Sequence, residues 1–387
     1  MKILWVTFVL PNPEAVNGSA FVMRGQLAAF SARHEVTLVT FAAGDAQEKK
    51  ALVQLRASGF KVHVVGEVWP TCIIRWKRSC ERMFNWIRGR HPWSSLAFTD
   101  SRMQHLLDQL LDQQGFDLIH VEDIGTGNYR YQKRIPSVLT EREVGRSLPG
   151  YGREWQQVQP AIWREFDRIQ VFTPHDAAAI QAVAPELFDR VRINPFGIDI
   201  PEEADSRLEE PDTTVFVGGF NHPPNVDAAL WIGNEIMPLL RPLRPGIRLT
   251  IVGSYPTKPV RALASDDIIV TGRVPAIEPY LERAAVVLAP VRLGGGMRVK
   301  VLQAMAMGKA VVTTPLGAEG LLGPRDALPL AIGETAEEIA IATTSLLASR
   351  EERHALGRRA RASVKDHHSW SAYATRLEAI YAELFSR

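Results

Sequence analysis

The chain has 387 residues, a length that exceeds one ordinary hydrophobic core and predicts two domains of similar size. Its 46% hydrophobic and 23% charged residues are typical of a globular protein in water, and a net charge of +2 excludes a bulk affinity for nucleic acid. Cys72 and Cys80 are too few for a disulfide scaffold and lack metal-ligand spacing, so a cytoplasmic location is expected. No apolar run is long enough to predict a membrane span.

The first half of the chain alternates β-branched runs with amphipathic segments. Its apolar start, MKILWVTFVL, predicts a buried first strand and not a signal peptide. This alternation predicts a doubly wound parallel sheet, whose functional loops follow the carboxyl ends of the strands. Gly18 lies in the first such loop, either as a ligand-binding glycine or as an ordinary turn glycine. Strands are predicted at Ile3–Val9, Glu35–Thr40, Lys61–Val65, Phe116–Val121, Pro136–Thr140, Arg168–Phe172 and Val191–Asn194.

Residues 69–93 interleave tryptophans with basic side chains. One interpretation is an amphipathic surface that contacts a membrane interface or an acceptor, which would place the protein peripherally on the inner face of the membrane. The other is a set of buried aromatic residues with a solvated arginine face. The sequence leaves both open.

Three titratable residues lie where the strand Phe116–Val121 ends. His120 is near its carboxyl end, and Glu122 and Asp123 follow. Side chains of these types at a strand end are suited to acid–base chemistry or to binding hydroxyl groups. A histidine that is merely paired with a neighbouring carboxylate is the alternative. We therefore treat His120, Glu122 and Asp123 as a candidate catalytic cluster.

The second half repeats the pattern after a charged run, Glu202–Asp212. We predict an N-terminal domain at 1–197, a linker at 198–212 and a C-terminal domain at 213–368. Between the two domains we expect a ligand-binding cleft. The strands of the second domain end in glycines, so the backbone at the carboxyl edge of this sheet can approach a ligand closely. These glycines are Gly218, Gly219, Gly253 and Gly272.

The stretch Val287–Leu321 predicts a strand, a glycine loop, a helix and another strand. Gly294, Gly295 and Gly296 precede a helix predicted at Arg298–Met307. Glycine backbone followed by a helix N-terminus forms a site for phosphate, and the basic side chains of Arg298 and Lys300 would add positive charge. A tight strand-to-helix turn with solvated basic residues is the alternative.

Several segments together resemble the retaining glycosyltransferases of family 4, which have the GT-B fold. In the second half they are VFVGGFNHPPNVDAALW, LTIVG, VTGRVPAIEPYL and APVRLGGGMRVKVLQAMAMGKAVVTTPLGAEGL; in the first half they are RHEVTLVT, FDLIHVED, FDRIQVFTPHDAAAI and INPFGID. The resemblance covers nearly the whole chain. It implies two Rossmann-like domains facing a central cleft, a nucleotide-sugar donor in the C-terminal domain and an acceptor in the N-terminal one. It also implies that the last helix, within 369–387, packs back on the N-terminal domain.

The resemblance extends to individual site residues. It places Gly272, Arg273 and Val274 near the base of the nucleotide, and the loop of Gly218, Gly219 and Asn221 beside the diphosphate. Gly253, the glycine loop with Met297, Arg298 and Lys300, and Gly18 complete the implied donor set. The chain has no D-x-D motif, so no metal and no other cofactor is expected. The charge of the leaving diphosphate would then be met by cations and oriented N–H groups.

Three positions depart from the family pattern. Gln303 stands where the family has the second of two spaced glutamates, the one that binds the ribose hydroxyls, and Gly295 stands eight residues before it. A glutamine accepts and donates hydrogen bonds but lacks the charge. Glu122 stands where the family often has a histidine, so the residue nearest the acceptor is open.

The sequence therefore predicts a hexosyltransferase that moves a sugar, with retention and without metal, to a hydroxyl of a glycan, a lipid-linked sugar or a small molecule. A role in polysaccharide biosynthesis follows from the resemblance. Gln303 motivates a different class, a degenerate subunit that binds nucleotide or glycan without turnover. A UDP-sugar epimerase is a third reading. A dehydrogenase is disfavoured, because no G-x-G-x-x-G follows the first strand.

Overall fold

The computed structural model describes residues 1–12, 18–42, 46–66, 100–142, 144, 152–201, 207–323 and 327–386. The chain divides into two compact units, Met1–Asn194 with Tyr373–Arg387, and Pro195–Ala372. Each unit contains one parallel sheet, of seven and six strands respectively. The two predicted parallel-sheet domains are thereby confirmed, whereas the predicted cleft stays a prediction. The tryptophan-rich stretch 69–93 lies outside the described residues.

The first unit is a sheet with the strand order β3-β2-β1-β4-β5-β6-β7. Its strands are β1 (Lys2–Thr7), β2 (Glu35–Phe41), β3 (Lys61–Val65), β4 (Leu118–Glu122), β5 (Ser137–Thr140), β6 (Arg168–Val171) and β7 (Val191–Ile193). Its helices are α1 (Gly18–Ser31), α2 (Ala46–Ala57), α3 (Ser101–Gln113), α4 (Ile124–Gly127), α5 (Gly152–Trp163) and α6 (Pro174–Val183), with a 3-10 turn at Pro185–Arg190.

The second unit has the strand order β10-β9-β8-β11-β12-β13. Its strands are β8 (Thr213–Val217), β9 (Arg248–Val252), β10 (Ile268–Gly272), β11 (Val286–Ala289), β12 (Ala310–Thr313) and β13 (Ala331–Ile332). Its helices are α7 (Pro223–Trp231), α8 (Met237–Leu243), α9 (Lys258–Arg261), α10 (Glu278–Arg283), α11 (Val299–Ala306), α12 (Ala336–Ala348) and α13 (Arg350–His367), and a π-helical turn at Ile232–Ile236 joins α7 to α8. The last helix, α14 (Trp370–Phe385), begins in this unit and belongs to the first unit from Tyr373 onwards.

The central strands are buried on both faces. In β1, Ile3 to Val6 are fully buried, and all four residues of β11 are buried. Such continuous apolar runs are typical of parallel strands that helices cover on both sides. Strand β4 departs from this pattern: Ile119 and Val121 enter an apolar core, while His120 and Glu122 on its other face are polar.

Strand order reverses once in each sheet, between β1 and β4 and between β8 and β11. Ligands of open parallel sheets bind outside the carboxyl ends of the strands at such a point, because the loops on either side diverge there and leave a crevice. In the second unit the flanking loops are those after β8 and β11, which include Gly218 and the glycine loop 294–296.

Part of the predicted linker is held firmly by the second unit. Glu209 accepts hydrogen bonds from Lys309 at 3.1 Å and from Arg353 at 2.7 Å, and all three side chains are nearly buried. The division between the units falls at Asn194 and Pro195, before the predicted linker at 198–212. A charged run in a sequence is typical of a solvated linker, but here Glu209 of that run completes a buried ion-pair cluster.

Candidate functional site

Glycines bring the ends of the strands close together at the carboxyl edge of the second sheet. A Cβ atom on Gly253 would lie 1.8 Å from the carbonyl oxygen of Gly218, so no other residue fits there. The N–H of Gly253 donates to the carbonyl of Gly272 at 3.2 Å. The glycines that end β8, β9 and β10 therefore lie side by side.

The glycine loop, residues 294–296, lies across the strand-order reversal from Gly218. Gly294 and Gly296 have φ angles of +87° and +76°, in the left-handed region that favours glycine. A Cβ on Gly295 would meet no atom within 4 Å, so its backbone borders open space. A ligand can thus reach the main chain of this loop.

Two basic side chains follow the glycine loop at the start of α11. Arg298 is the N-cap residue, and its guanidinium donates to the carbonyls of Gly294, at 2.8 Å, and Gly295. Lys300 Nζ donates to Asn225 Oδ1 at 2.5 Å and lies 4.3 Å from the centroid of the Phe216 ring. Within the described part of the chain, Lys300 makes no ion pair. Its positive charge is therefore unmatched by any carboxylate there.

The charges of this site repel one another. We call His222, Arg298 and Lys300 the basic cluster. Burial and the charge of Arg298 lower the pKa of Lys300 from 10.5 to about 7. Burial and the charges of Lys300 and Arg298 also lower the pKa of His222. A bound anion would relieve this repulsion, and α11 adds the positive end of its dipole.

The remaining donor-site candidates differ in their surroundings. Gln303 is partly exposed and lies one helical turn beyond Lys300 on α11, and its side chain makes no hydrogen bond with the described residues. Asn221 and Arg273 are exposed, and Val274 is partly so. Met297 is buried, and its sulfur accepts the N–H of Phe196 at 3.3 Å, which gives it a structural contact. Gly18 begins α1 in the other unit.

The candidate cluster of the first unit is mostly buried. His120 and Glu122 are fully buried, and their side chains approach each other at 3.2 Å. His120 stacks on Trp5 with the ring centroids 4.0 Å apart, and its Nδ1 lies 2.7 Å from the hydroxyl of Tyr381 on α14. These contacts place both side chains inside a packed network and away from solvent, which argues against direct contact with an acceptor.

The charge of Glu122 is matched inside that network. Arg142 donates to Glu122 Oε2 at 2.7 Å and to Gln26 at 3.2 Å. Burial alone would raise the pKa of Glu122, but the charge of Arg142 and the hydrogen bond with His120 outweigh it, so the pKa is lowered. Burial raises the pKa of Tyr381 well above its ordinary value, so its hydroxyl stays protonated. It can therefore donate to His120 Nδ1.

Asp123 is the member of this cluster that reaches the surface. It is partly exposed and has a φ angle of +74°, which is uncommon for a residue other than glycine. Its side chain caps α4 by accepting the N–H of Gly125 at 2.9 Å. A strained residue at the strand-order reversal is a candidate for function, so Asp123 is the better-placed of the three predicted residues.

Sequence reasoning missed Asn225 and Tyr381. Asn225 lies 75 positions from Lys300 and Tyr381 lies 261 positions from His120. The polar Asn225 inside the apolar start of α7 was a signal for the first. For the second, the only signal was the spacing of Tyr373 and Tyr381 on one helix face.

Among the described residues, no group of three or more His, Cys, Asp or Glu side chains is arranged to hold a metal ion. None of the described helices is both long and apolar enough to span a membrane.

Comparisons with known proteins indicate the class of protein to which the chain is similar. Residues 211–349 match the family model described as Glycosyl transferases group 1. Sucrose-phosphate synthase from Thermosynechococcus elongatus has a similar structure, with 18% identity and a TM-score of 0.69, over 100% of this chain and 99% of that one. TarM gives 11% identity and a TM-score of 0.70, over 100% of this chain and 99% of that one. Alr3699/HepE from Anabaena, in complex with UDP and glucose, gives 12% and 0.66, over 99% of each chain. No curated protein matches the chain by sequence.

These likenesses confirm the predicted GT-B fold. The domain match, which covers much of the second unit, supports the predicted enzyme class, a glycosyltransferase.

Proposed function

We propose that the protein transfers a sugar from a nucleotide-sugar donor to a hydroxyl acceptor, with retention of configuration and without a metal ion, as a member of glycosyltransferase family 4. The observation that carries the proposal is the basic cluster beside open glycine backbone at the strand-order reversal of the second sheet. Such a site fits the diphosphate of the donor, because cations and oriented N–H groups stabilise the negative charge that develops on the leaving group.

Each element of this site has a distinct part in the proposal. Lys300 and the N-terminus of α11 bind the diphosphate, while Arg298 fixes the glycine loop and adds charge. Gln303 lies one turn further along α11 and binds a ribose hydroxyl. Gly272 to Val274 border the base. In a retaining reaction of this class, the donor phosphate takes the acceptor proton on the same face, so no strong protein base is needed.

The acceptor is bound by the first unit in this proposal, with Asp123 as the residue at its strand-order reversal. A glycan, a lipid-linked sugar or a small molecule fits the reaction. Cytoplasmic synthesis of polysaccharide, with peripheral membrane contact through residues 69–93, is the setting that we propose.

The test is a panel of UDP-, GDP- and ADP-sugars incubated with the purified protein, with release of the nucleoside diphosphate measured with and without EDTA. UDP comes first, because it is the nucleotide in the Anabaena complex. We expect turnover of one donor that EDTA leaves unchanged, and an α-linked product from an α-linked donor by NMR. Absence of both binding and turnover across the panel would contradict the proposed function.

A second candidate is a subunit that binds nucleotide or glycan without turnover. The uncharged Gln303, whose side chain makes no hydrogen bond to the described residues, favours it. Diphosphate binding without turnover of any donor, across a range of acceptors, would support this second candidate.

A further inference from the structure

The first turn of α7 contacts the opposite side of the strand-order reversal at three points. A Cβ on Gly294 would lie 3.1 Å from the Pro224 ring, Lys300 Nζ donates to Asn225 at 2.5 Å, and Arg292 donates to Asp227 at 2.9 Å. The short segment from Pro224 to Asp227 therefore contacts the loop after β11 and helix α11 together. Of the three contacts, only that of Asn225 reaches the basic cluster.

The amide of Asn225 is fixed from both ends. Its Nδ2 donates to the carbonyl of Gly219 at 2.8 Å, and its Oδ1 accepts from Lys300 Nζ. An ammonium group only donates and a carbonyl only accepts, so these partners determine which way the amide points. An aspartate would set a carboxylate against the Gly219 carbonyl, and an alanine would reach neither partner. The chemistry of the position thus requires an amide.

We propose that Asn225 is a positioning residue for the phosphate site: it holds the Lys300 ammonium group against the end of β8 and ties the loop after β8 to α11. This inference rests on the proposed function, because it assigns a role within the same donor site. Asn225 does not contact the reacting atoms in this account. It acts through Lys300.

The surroundings of Lys300 explain why such a residue is needed. Arg298, at the start of α11, contributes positive charge beside it, and burial together with the charges of both residues lowers the pKa of His222 in the loop after β8. Asp227, on the same turn as Asn225, is paired with Arg292. The Phe216 ring covers another side of the ammonium group. Asn225 Oδ1 therefore supplies the polar acceptor that favours the charged form of Lys300.

The experiment compares Asn225→Ala and Asn225→Asp with Asn234→Ala, a matched control on the exposed side of the following π-helical turn. Binding of UDP, or of the diphosphate that binds in the donor panel, is measured by calorimetry from pH 6 to pH 9. For the wild type we expect affinity to fall as pH rises through the pKa of Lys300, near 7. For Asn225→Ala we expect roughly tenfold weaker binding at pH 7 and an earlier fall. For Asn225→Asp the fall should move to higher pH, because a carboxylate favours the ammonium form.

The outcomes separate the two claims. Equal weakening at every pH, with the position of the fall unchanged, would overturn the positioning role and leave the proposed function intact. Failure of the wild type to bind any diphosphate would overturn both. NMR titration of labelled lysine in the unliganded proteins gives an independent readout: the Lys300 pKa should fall in Asn225→Ala and rise in Asn225→Asp, and unchanged titration would also overturn the role.

Discussion

The polar residues at the carboxyl edges of the two sheets differ in whether their charges and hydrogen bonds have partners. At the end of β4, His120 and Glu122 are fully buried, and their partners Tyr381 and Arg142 satisfy them. At the start of α11, the ammonium group of Lys300 has no carboxylate partner among the described residues, and burial beside Arg298 lowers its pKa. Buried polar groups with a full set of partners stabilise a fold, whereas unmatched charges are retained where a ligand supplies the counter-charge.

The largest effect on donor binding that this comparison predicts is at the basic cluster. In the double variant Arg298→Ala/Lys300→Ala, diphosphate affinity should fall by at least about 1.5–3 kcal/mol, since the charge-assisted hydrogen bond of Lys300 is lost and Arg298 no longer fixes the glycine loop or adds its charge. Calorimetry at pH 6.5 measures this, with Arg283→Ala/Lys258→Ala as the matched loss of two charges elsewhere in the unit. Wild-type affinity in the double variant would refute the phosphate-site assignment.

The second prediction concerns the first unit. Glu122→Gln leaves Arg142 without its carboxylate, so we expect a loss of about 3–5 kcal/mol in the free energy of unfolding at pH 7, measured with urea. The folded pKa of Glu122 is lowered, so its ionisation stabilises the fold above the unfolded pKa, and this contribution is lost as pH falls through the folded pKa. In the variant, the free energy of unfolding should therefore decrease less steeply as the pH falls. Its diphosphate affinity should equal that of the wild type, and a matching loss of affinity would contradict the comparison.

These residues show what the sequence could and could not predict. Parallel strands were predictable because β-branched runs such as Val286–Ala289 and Ala310–Thr313 bury both faces, and the helix after the glycine loop was predicted to within one residue at each end. The burial of His120 could not be predicted from the sequence, because it depends on which face of the sheet α14 covers. A strand-end histidine has the same local sequence whether it faces a ligand or a tyrosine from a distant helix. The contact of Asn225 with Lys300 likewise joins two elements that only the folded sheet brings together.

The third prediction is a gain in the free energy of unfolding, where the second is a loss. Lys300 has a folded pKa near 7, below its unfolded value, so its ammonium form opposes folding at neutral pH. Lys300→Met should therefore raise the free energy of unfolding at pH 7 by about 1 kcal/mol, and it should remove the fall in diphosphate affinity that the titration of Lys300 causes above pH 7. In the wild type, the unfolded chain binds more protons than the folded one between pH 7 and 10, so this residue makes stability rise with pH. Urea unfolding at pH 7 and pH 9 checks the sign; a destabilised variant would show that Lys300 is a structural residue.

The smallest expected effect is on nucleotide affinity when Gln303 is changed. A carboxylate accepts hydrogen bonds from hydroxyl groups more strongly than an amide does, so Gln303→Glu should strengthen binding of a nucleoside diphosphate by about 1 kcal/mol. Binding of the free sugar phosphate, which lacks the ribose, should not change. If neither nucleotide affinity nor the transfer rate changes, Gln303 does not contact the ribose.

The central claim is that the edge of the second sheet, and not the buried cluster of the first, binds the donor diphosphate. Hydrogen exchange of the wild-type protein, with and without an excess of nucleoside diphosphate, tests it most directly. We expect slower exchange of the backbone amides in residues 218–222 and 294–303, because the diphosphate binds their N–H groups. Unchanged exchange in both segments, under conditions where calorimetry shows binding, would contradict the account.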